Sequence, residues 1–318
     1  MAAAALKGDS SVSASQQEPL PSRPCRLRVV IPHYYHQGQE RIGYGSTRAD
    51  SLLQRQIALS RCLGSVLALG RSEQDELLHI DRRALGLTPP STYPERRLSG
   101  VEVDLHVFVS GDRWLEPVVA NFDRQISVHR VDLEDPRRLP HQARRFLLES
   151  NPDADLFLYM EDDLVINDRQ FADKILWFLE RSGHQLVLLP HRYELTGDRQ
   201  ATRLFVDGPI DRTTLERMKR PPQEAVAEGN FWDGQRVTFD LASNPHAGCF
   251  AVSRPQLEVL REKGVADEGF VGPLETVATY TVLQHFPVVK PAWPCRDFLL
   301  IEHGHPSFLI HRPVLPRI

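Results

Sequence analysis

The sequence predicts an α/β fold with a mostly parallel central sheet and helices on both faces. Short apolar runs of strand length alternate along the chain with amphipathic runs of helical period, and this alternation is typical of a parallel sheet with helical crossovers. The chain has 318 residues, of which 41% are hydrophobic and 25% charged, an ordinary balance for a globular protein with a sizeable core. We therefore predict a flexible tail over residues 1–24 and a single domain over residues 25–318.

The first third of the chain predicts one strand, one helix and an excursion. The apolar run 27–32 predicts a buried strand that ends at Pro32. A helix follows, with Asp50 as its N-cap and Gly70 as its stop. Residues 71–100 are polar and contain Pro-Pro, which predicts an insertion or excursion from the main fold.

The remaining elements alternate in type. Strands are predicted over 101–109, 126–131, 155–160, 185–190, 248–253 and 288–291, and helices over 139–150, 171–179, 255–263 and 274–285. Residues 195–240 have no clear pattern, and residues 296–318 resemble a loop with clustered histidines.

Composition excludes several classes of function. The formal net charge is -4, so no broad basic surface favours nucleic acid as a partner. No stretch approaches the roughly 20 apolar residues of a membrane span, and the N-terminus does not resemble a secretory signal. The four cysteines are far apart in the sequence, which favours a reducing compartment. We expect a cytoplasmic protein.

An acidic triplet carries the main chemical signal. Glu161, Asp162 and Asp163 follow directly after an apolar run that is typical of a central strand, and ligands of open α/β sheets bind outside the carboxyl ends of strands. Adjacent carboxylates repel one another unless a cation relieves them, and hard oxygen ligands suit Mg²⁺ or Mn²⁺. The alternative is a solvated acidic turn that closes a strand.

The segment from Leu156 to Ile166, with Glu-Asp-Asp at its centre, resembles the DxD-type motif of GT-A glycosyltransferases. That resemblance implies a GT-A-type fold, a nucleotide-diphosphate sugar as donor (UDP favoured by analogy) and a carbohydrate or other hydroxyl compound as acceptor. It implies that Asp163 touches the metal and that Glu161 acts through water or the ribose, while Asp162 is a further candidate for donor contacts. The motif lacks the plain Asp-x-Asp spelling.

A glycine-containing segment further along the chain is similar to the acceptor side of GT-A enzymes. It reads Asn-Pro-His-Ala-Gly-Cys-Phe-Ala-Val-Ser over 244–253. Gly248 would let the backbone approach a sugar closely, although a simple turn explains it as well. His246 and Trp232 are further acceptor candidates, and each can equally be structural.

The catalytic base and the late metal ligand are also carried by the resemblance. Inverting members often place a carboxylate where Glu275 lies, in the first turn of a helix, but acids favour such turns for electrostatic reasons alone. Asp267 and Glu268 are rivals, and the choice between inverting and retaining chemistry stays open. A late histidine often joins the acidic motif at the metal, and His303 and His305 are equal candidates.

Donor contacts are expected at the ends of the first two strands. Pro32, His33 and Tyr34 follow strand one, where a tyrosine could stack on a nucleobase. Arg48 and Asp112 could contact the diphosphate and the ribose.

Two other readings remain open. A sugar-phosphate nucleotidyltransferase would usually carry a compact Gly-rich loop with basic residues after strand one, and this chain has none there. A non-catalytic nucleotide-sugar-binding protein of the same fold would keep the site without turnover.

Overall fold

A computed structural model describes residues 4–5, 23–36, 51–89, 98–149, 153–217, 225–231, 234–269 and 272–315. The strands are β1 (Ala4–Ala5), β2 (Cys25–His33), β3 (Glu76–His79), β4 (Ala84–Leu87), β5 (Val101–Ser110), β6 (Ile126–Val131), β7 (Leu156–Met160), β8 (Leu164–Val165), β9 (Val187–Leu188), β10 (His191–Leu195), β11 (Arg203–Phe205), β12 (Ala225–Asn230), β13 (Arg236–Leu241), β14 (Cys249–Ser253), β15 (Val288–Pro291) and β16 (Leu300–His303). The helices are α1 (Leu52–Leu67), α2 (Glu116–Val119), α3 (Leu139–Glu149), α4 (Phe171–Arg181), α5 (Arg212–Arg217), α6 (Arg254–Lys263) and α7 (Pro273–Leu283).

The central sheet has the strand order β14-β7-β2-β5-β6. Its last four strands are mutually parallel, and β14 lies antiparallel to β7. Helix α3 packs against β2, β5 and β7, whereas α4, α6 and α7 contact β14. The predicted α/β class with a mostly parallel central sheet is confirmed.

Two smaller sheets complete the domain and bring late parts of the chain to the end of β7. One is mixed, in the order β1-β12-β13-β15-β9, and the other has the order β11-β10-β16-β8. Strand β16 pairs antiparallel with β8, so that His303 lies opposite Leu164. Since β8 begins directly after the acidic triplet, this pairing sets the position of the late histidine.

The predicted strands and helices of the central sheet agree with the structure to within a few residues. Helix α1 begins after Ser51, whereas the proposed cap Asp50 lies outside the described residues. The prediction that Pro32 ends strand one was wrong, because β2 continues to His33. The β7 ladder stops at Val30, so the missing N–H of the proline is not required on that side.

The prediction of a loop-like tail over residues 296–318 was wrong, and two other stretches contain elements that the sequence did not assign. The excursion over 71–100 contains the hairpin of β3 and β4, the unassigned stretch 195–240 contains β11, α5, β12 and β13, and the tail 296–318 contains β16. These strands are three to six residues long, and most of them are exposed or half-buried, so they lack the apolar run that indicates a buried strand.

Parts of the predicted N-terminal tail contact the domain. Within the predicted tail, Ala4–Ala5 pair in parallel with β12, and Arg23 forms an ion pair with Asp155. The rest of the flexible-tail prediction stays a prediction. No helix in the described part of the chain is long and apolar enough to cross a membrane.

Candidate functional site

The acidic triplet lies at the carboxyl end of β7, whose five residues are all buried. Strand β14 runs alongside, and the Glu161 backbone N–H donates to the carbonyl oxygen of Gly248 at 2.9 Å. Glu161 is 6% exposed and Asp162 8%. The triplet is therefore a buried cluster of acids at the mouth of the sheet, and the reading as a solvated turn is wrong.

Asp162 is held by protein partners on both oxygens. One guanidinium nitrogen of Arg55 lies 2.7 Å from each of them, and Nδ1 of His33 lies 2.5 Å from Oδ2. Although burial raises the pKa of Asp162, Arg55 and His33 lower it to a net value below the usual range. This carboxylate is ionised and fully occupied.

His33 is a neutral ring that orients Asp162. The backbone N–H of Leu115 donates to its Nε2 at 3.0 Å, so Nε2 carries no proton. Nδ1–H must then donate to Asp162. His33 is 0% exposed, so it contacts Asp162 from the protein interior.

Arg55 links Asp162 to Asp163 and was not among the residues that the sequence singled out. Its second terminal nitrogen donates to Asp163 Oδ2 at 3.0 Å, and its side chain is only 6% exposed. Helix α1 brings it to the cluster, because Arg55 lies on the same buried face as Leu59 and Cys62. A spacing of 107 residues separates it from Asp162, so no local pattern could have revealed the contact.

Asp163 faces the late histidine. Nε2 of His303 lies 3.5 Å from its Oδ2, while Nδ1 lies 2.7 Å from Oε1 of the buried Glu194. Burial lowers the pKa of His303, but the two carboxylates raise it to about 9. His303 and Arg55 in turn hold the pKa of Asp163 far below its ordinary value despite burial.

Gly304 makes this approach possible. Its N–H donates to the carbonyl oxygen of Asp163 at 2.6 Å, and a Cβ atom there would lie 2.9 Å from Val165 Cγ2. The glycine therefore allows β16 to lie directly against the end of the acidic triplet. His305 is half-buried beyond it, and the charges of Arg55, Asp163 and His303 act on it.

Glu161 is enclosed differently from its neighbours. Gly248 has φ +66°, and a Cβ atom there would lie 2.8 Å from Glu161 Oε2. Burial, followed by the charges of Asp163 and Glu275, raises the pKa of Glu161 to about 8, although Arg192 opposes this shift from 3.8 Å. Glu161 is therefore the acid of the triplet most easily protonated.

A buried chain of charges runs from Glu161 into the protein. Arg192 lies 2.9 Å from Asp207, and Lys290 lies 3.4 Å from the same carboxylate. Lys290 also donates to the carbonyl oxygen of His246 at 2.7 Å. Arg192, Asp207 and Lys290 were not predicted from the sequence. They connect Glu161 to the segment that precedes β14.

The three candidate bases lie in different surroundings. Glu275 is half-buried in the first turn of α7, and its charge acts on Glu161. The carboxylate of Asp267 pairs with Arg144 of α3 and is 60% exposed, and Glu268 is exposed. The choice among these three carboxylates stays a prediction.

The acceptor and donor candidates are distributed unevenly. His246 is buried, and its Nδ1 lies 2.9 Å from Thr279 Oγ1. Burial and the charge of Arg192 lower its pKa to about 3, so it is a neutral structural ring. Pro32 lies buried inside β2, and Tyr34 is half-buried beside Arg113.

Three further candidates complete the donor and acceptor set. Asp112 is exposed in the turn after β5. Arg48 and Trp232 lie outside the described residues, so their predicted roles stay predictions.

Two atoms of the cluster suit a divalent cation. Glu161 Oε1 and Asp163 Oδ1 are buried oxygens without a hydrogen-bond partner in the described structure, and a buried unpaired carboxylate oxygen is costly. However, the described residues contain no group of three His, Cys, Asp or Glu side chains that could hold a metal ion by themselves. Both observations agree if water and a ligand's phosphates supply the remaining positions, as is usual for Mg²⁺.

No protein-family model matches the chain, and no curated protein matches its sequence. Among solved structures, S. aureus TarS 1-349 is 10% identical and covers 83% of this chain and 57% of its own, with a TM-score of 0.42. The mannosyltransferase PcManGT from Pyrobaculum calidifontis, in complex with GDP-Man and Mn²⁺, is 12% identical and covers 91% and 59%, with a TM-score of 0.43. GalNAc-T7 with UDP, GalNAc and Mn²⁺ is 11% identical and covers 88% and 43%, with a TM-score of 0.42.

This chain thus spans 43% to 59% of the length of those three chains. The ligands of those complexes are properties of those proteins.

Proposed function

We propose that this chain is a glycosyltransferase that moves a sugar from a nucleotide-diphosphate donor, with a UDP-sugar favoured, to a hydroxyl acceptor. One observation supports this proposal above the others. The acidic triplet, His303 and Gly248 converge in one buried site at the carboxyl end of β7. Ligands of open α/β sheets bind at this edge, and a diphosphate there would meet the cluster directly.

The proposal includes a divalent cation, Mn²⁺ or Mg²⁺. Asp163 Oδ1 and Glu161 Oε1 would hold it together with water and the donor's phosphates, because these two oxygens are buried without a hydrogen-bond partner in the described structure. His303 lies beside Asp163 and would have to release its Nε2 proton to become a further ligand. When bound, such an ion stabilises the negative charge that develops on a departing nucleoside diphosphate.

The surrounding residues orient this set. Glu194 accepts from His303 Nδ1 and from the backbone N–H groups of Phe308 and Leu309, so the ring is fixed with Nε2 towards Asp163. His33 and Arg55 hold Asp162 in the same way. Outer partners of this kind commonly fix the geometry of metal ligands.

Glu275 is the proposed base. It lies in the first turn of α7. As a general base it would accept the proton of the acceptor hydroxyl as the oxygen attacks the sugar. Gly248 has no side chain, so the Glu161 carboxylate can lie directly against its backbone on the proposed acceptor side.

A thermal-shift screen of nucleotide sugars with and without Mn²⁺ tests the donor, because a ligand of the folded state raises the unfolding temperature. Calorimetry with the best donor and Mn²⁺ then compares Asp163→Ala with the parent. We expect metal-dependent donor binding to be lost while the fold is kept. Asp168→Ala is the matched control. Asp168 lies in the loop after β8, and the change removes its ion pair with Lys174 of α4. Equal donor affinity in Asp163→Ala and parent would refute the proposal.

One observation favours a second candidate, a nucleotide-sugar-binding protein without turnover. Arg55, Arg192 and His303 already lie beside the three acids, so the site has internal counter-charges. Donor binding without slow hydrolysis or transfer in the presence of Mn²⁺ would support this candidate. Release of pyrophosphate from a sugar phosphate and a nucleoside triphosphate would instead identify a nucleotidyltransferase.

A further inference from the structure

The hairpin of β3 and β4 is exposed along nearly its whole length. Its two strands form a sheet that contains no third strand among the described residues. Five large apolar side chains lie in it: Leu77 at 49% exposure, Leu78 at 60%, Ile80 at 82%, Leu85 at 65% and Leu87 at 70%. An isolated two-stranded hairpin is only marginally stable in water. A partner that covered its apolar side chains would therefore stabilise it.

The apolar residues are concentrated on one face. Leu78 lies directly opposite Leu85, and Leu87 lies opposite Glu76, so side-chain alternation places all three leucines on the same side. On the other side His79 covers Gly86, since a Cβ atom at that glycine would lie 2.9 Å from His79 Nε2. The leucine face is therefore the one that is open to a partner.

The two ends of the hairpin carry opposite charge. Glu73, Asp75 and Glu76 are exposed at its base, and Arg82 and Arg83 are exposed at its tip. Asp81 offsets part of the tip charge through a contact of 3.6 Å with Arg82. If two such hairpins lie side by side in antiparallel directions, each acidic base meets the other basic tip. A parallel arrangement would bring like charges together.

We propose that the β3–β4 hairpin is the arm through which two copies of this chain associate about a two-fold axis. The leucine faces of the two copies pack against each other, with the two hairpins running in antiparallel directions. Two-fold dimers are the commonest oligomers, and their interfaces are self-complementary in this sense. An exposed apolar edge strand is otherwise an aggregation hazard.

The size of the arm sets the expected strength. Five partly exposed side chains provide on the order of several hundred Å² per copy, below the roughly 800 Å² per partner of a standard interface. We therefore expect a dimer with a dissociation constant in roughly the micromolar range.

Sedimentation velocity of the full chain from about 1 to 100 µM tests the proposal, since that range brackets the expected affinity. The parent should shift from monomer to dimer. Leu78→Glu/Leu85→Glu should stay monomeric, and Val314→Glu/Leu315→Glu, which changes two equally exposed residues (79% and 62%) near the end of the chain, should behave as the parent does.

Charge reversal tests the two-fold arrangement itself. Arg82→Glu/Arg83→Glu and Glu73→Lys/Glu76→Lys should each weaken the dimer at least tenfold, and an equimolar mixture of the two should form heterodimers in native mass spectrometry. A monomeric parent at 100 µM, or a dimer that both leucine and charge variants leave unchanged, would overturn the proposal. Open-ended aggregation of the parent would also overturn the proposal. Flotation with phospholipid vesicles that depends on Leu78 and occurs without dimerisation would do the same.

Discussion

Arg55→Gln would remove the counter-charge that links the two ionised acids of the site. In the parent, Arg55 donates to Asp162 at 2.7 Å and to Asp163 at 3.0 Å from a nearly buried position. Glutamine keeps a polar side chain but cannot neutralise the carboxylates. Two buried acids would then be left with the neutral His33 and with His303 as their remaining partners.

Two opposite effects follow from this change. Breaking a buried ion pair by removing one partner costs about 3–5 kcal/mol of stability, so the free variant should unfold at lower denaturant concentration. The affinity for Mn²⁺ should rise, because a unit charge about 5 Å from the ion contributes about 3 kcal/mol per unit of ionic charge at an effective dielectric constant of 20. For the doubly charged ion this amounts to about 6 kcal/mol before desolvation and relaxation are subtracted, so we expect a gain of at least about a hundredfold.

Calorimetry with Mn²⁺ alone and urea denaturation with and without Mn²⁺ measure both effects in the same proteins. Arg61→Gln is the matched control on the same helix, because it loses two hydrogen bonds of 2.8 Å to Glu302 but leaves the triplet intact. Asp163→Asn should bind Mn²⁺ more weakly than the parent. If Arg55→Gln binds Mn²⁺ no better than the parent or Arg61→Gln, the electrostatic account of this site is wrong.

Three other changes test separate parts of the structure. Gly248→Ala forces a left-handed backbone on a residue with a Cβ 2.8 Å from Glu161 Oε2, so we expect a loss of about 2–4 kcal/mol of stability and weaker donor binding, measured by urea denaturation and calorimetry. Glu275→Gln should reduce turnover at least about a hundredfold with little change in donor affinity, if it is the base; unchanged turnover would point to Asp267 or a retaining route. Burial lowers the pKa of His246 to about 3, so below pH ~6.5 the unfolded chain binds a proton that the folded chain does not. Stability should therefore fall from pH 6.5 towards pH 3 more steeply in the parent than in His246→Gln, and parallel profiles in urea denaturation would contradict this.

Local patterns located the centre of the site because it depends on short segments. The apolar run of β7 followed by three acids, and Gly248 at the start of β14, are visible without any long-range information. Their proximity follows from strand pairing, since Cys249 lies opposite Met160. The same local view could not show that Asp267 pairs with Arg144, which lies on another helix.

The amino-acid sequence alone determined the α/β class, the order of the central elements and the acids that end β7, because these depend on hydrophobic period and on residues that are neighbours in the chain. Only the tertiary structure decided which charges surround those acids. Arg55, Arg192 and Glu194 come from α1 and β10, and in the sequence each is a polar residue like many others. Their significance arises from burial, which makes every unpaired charge costly and thereby selects which distant residues must meet.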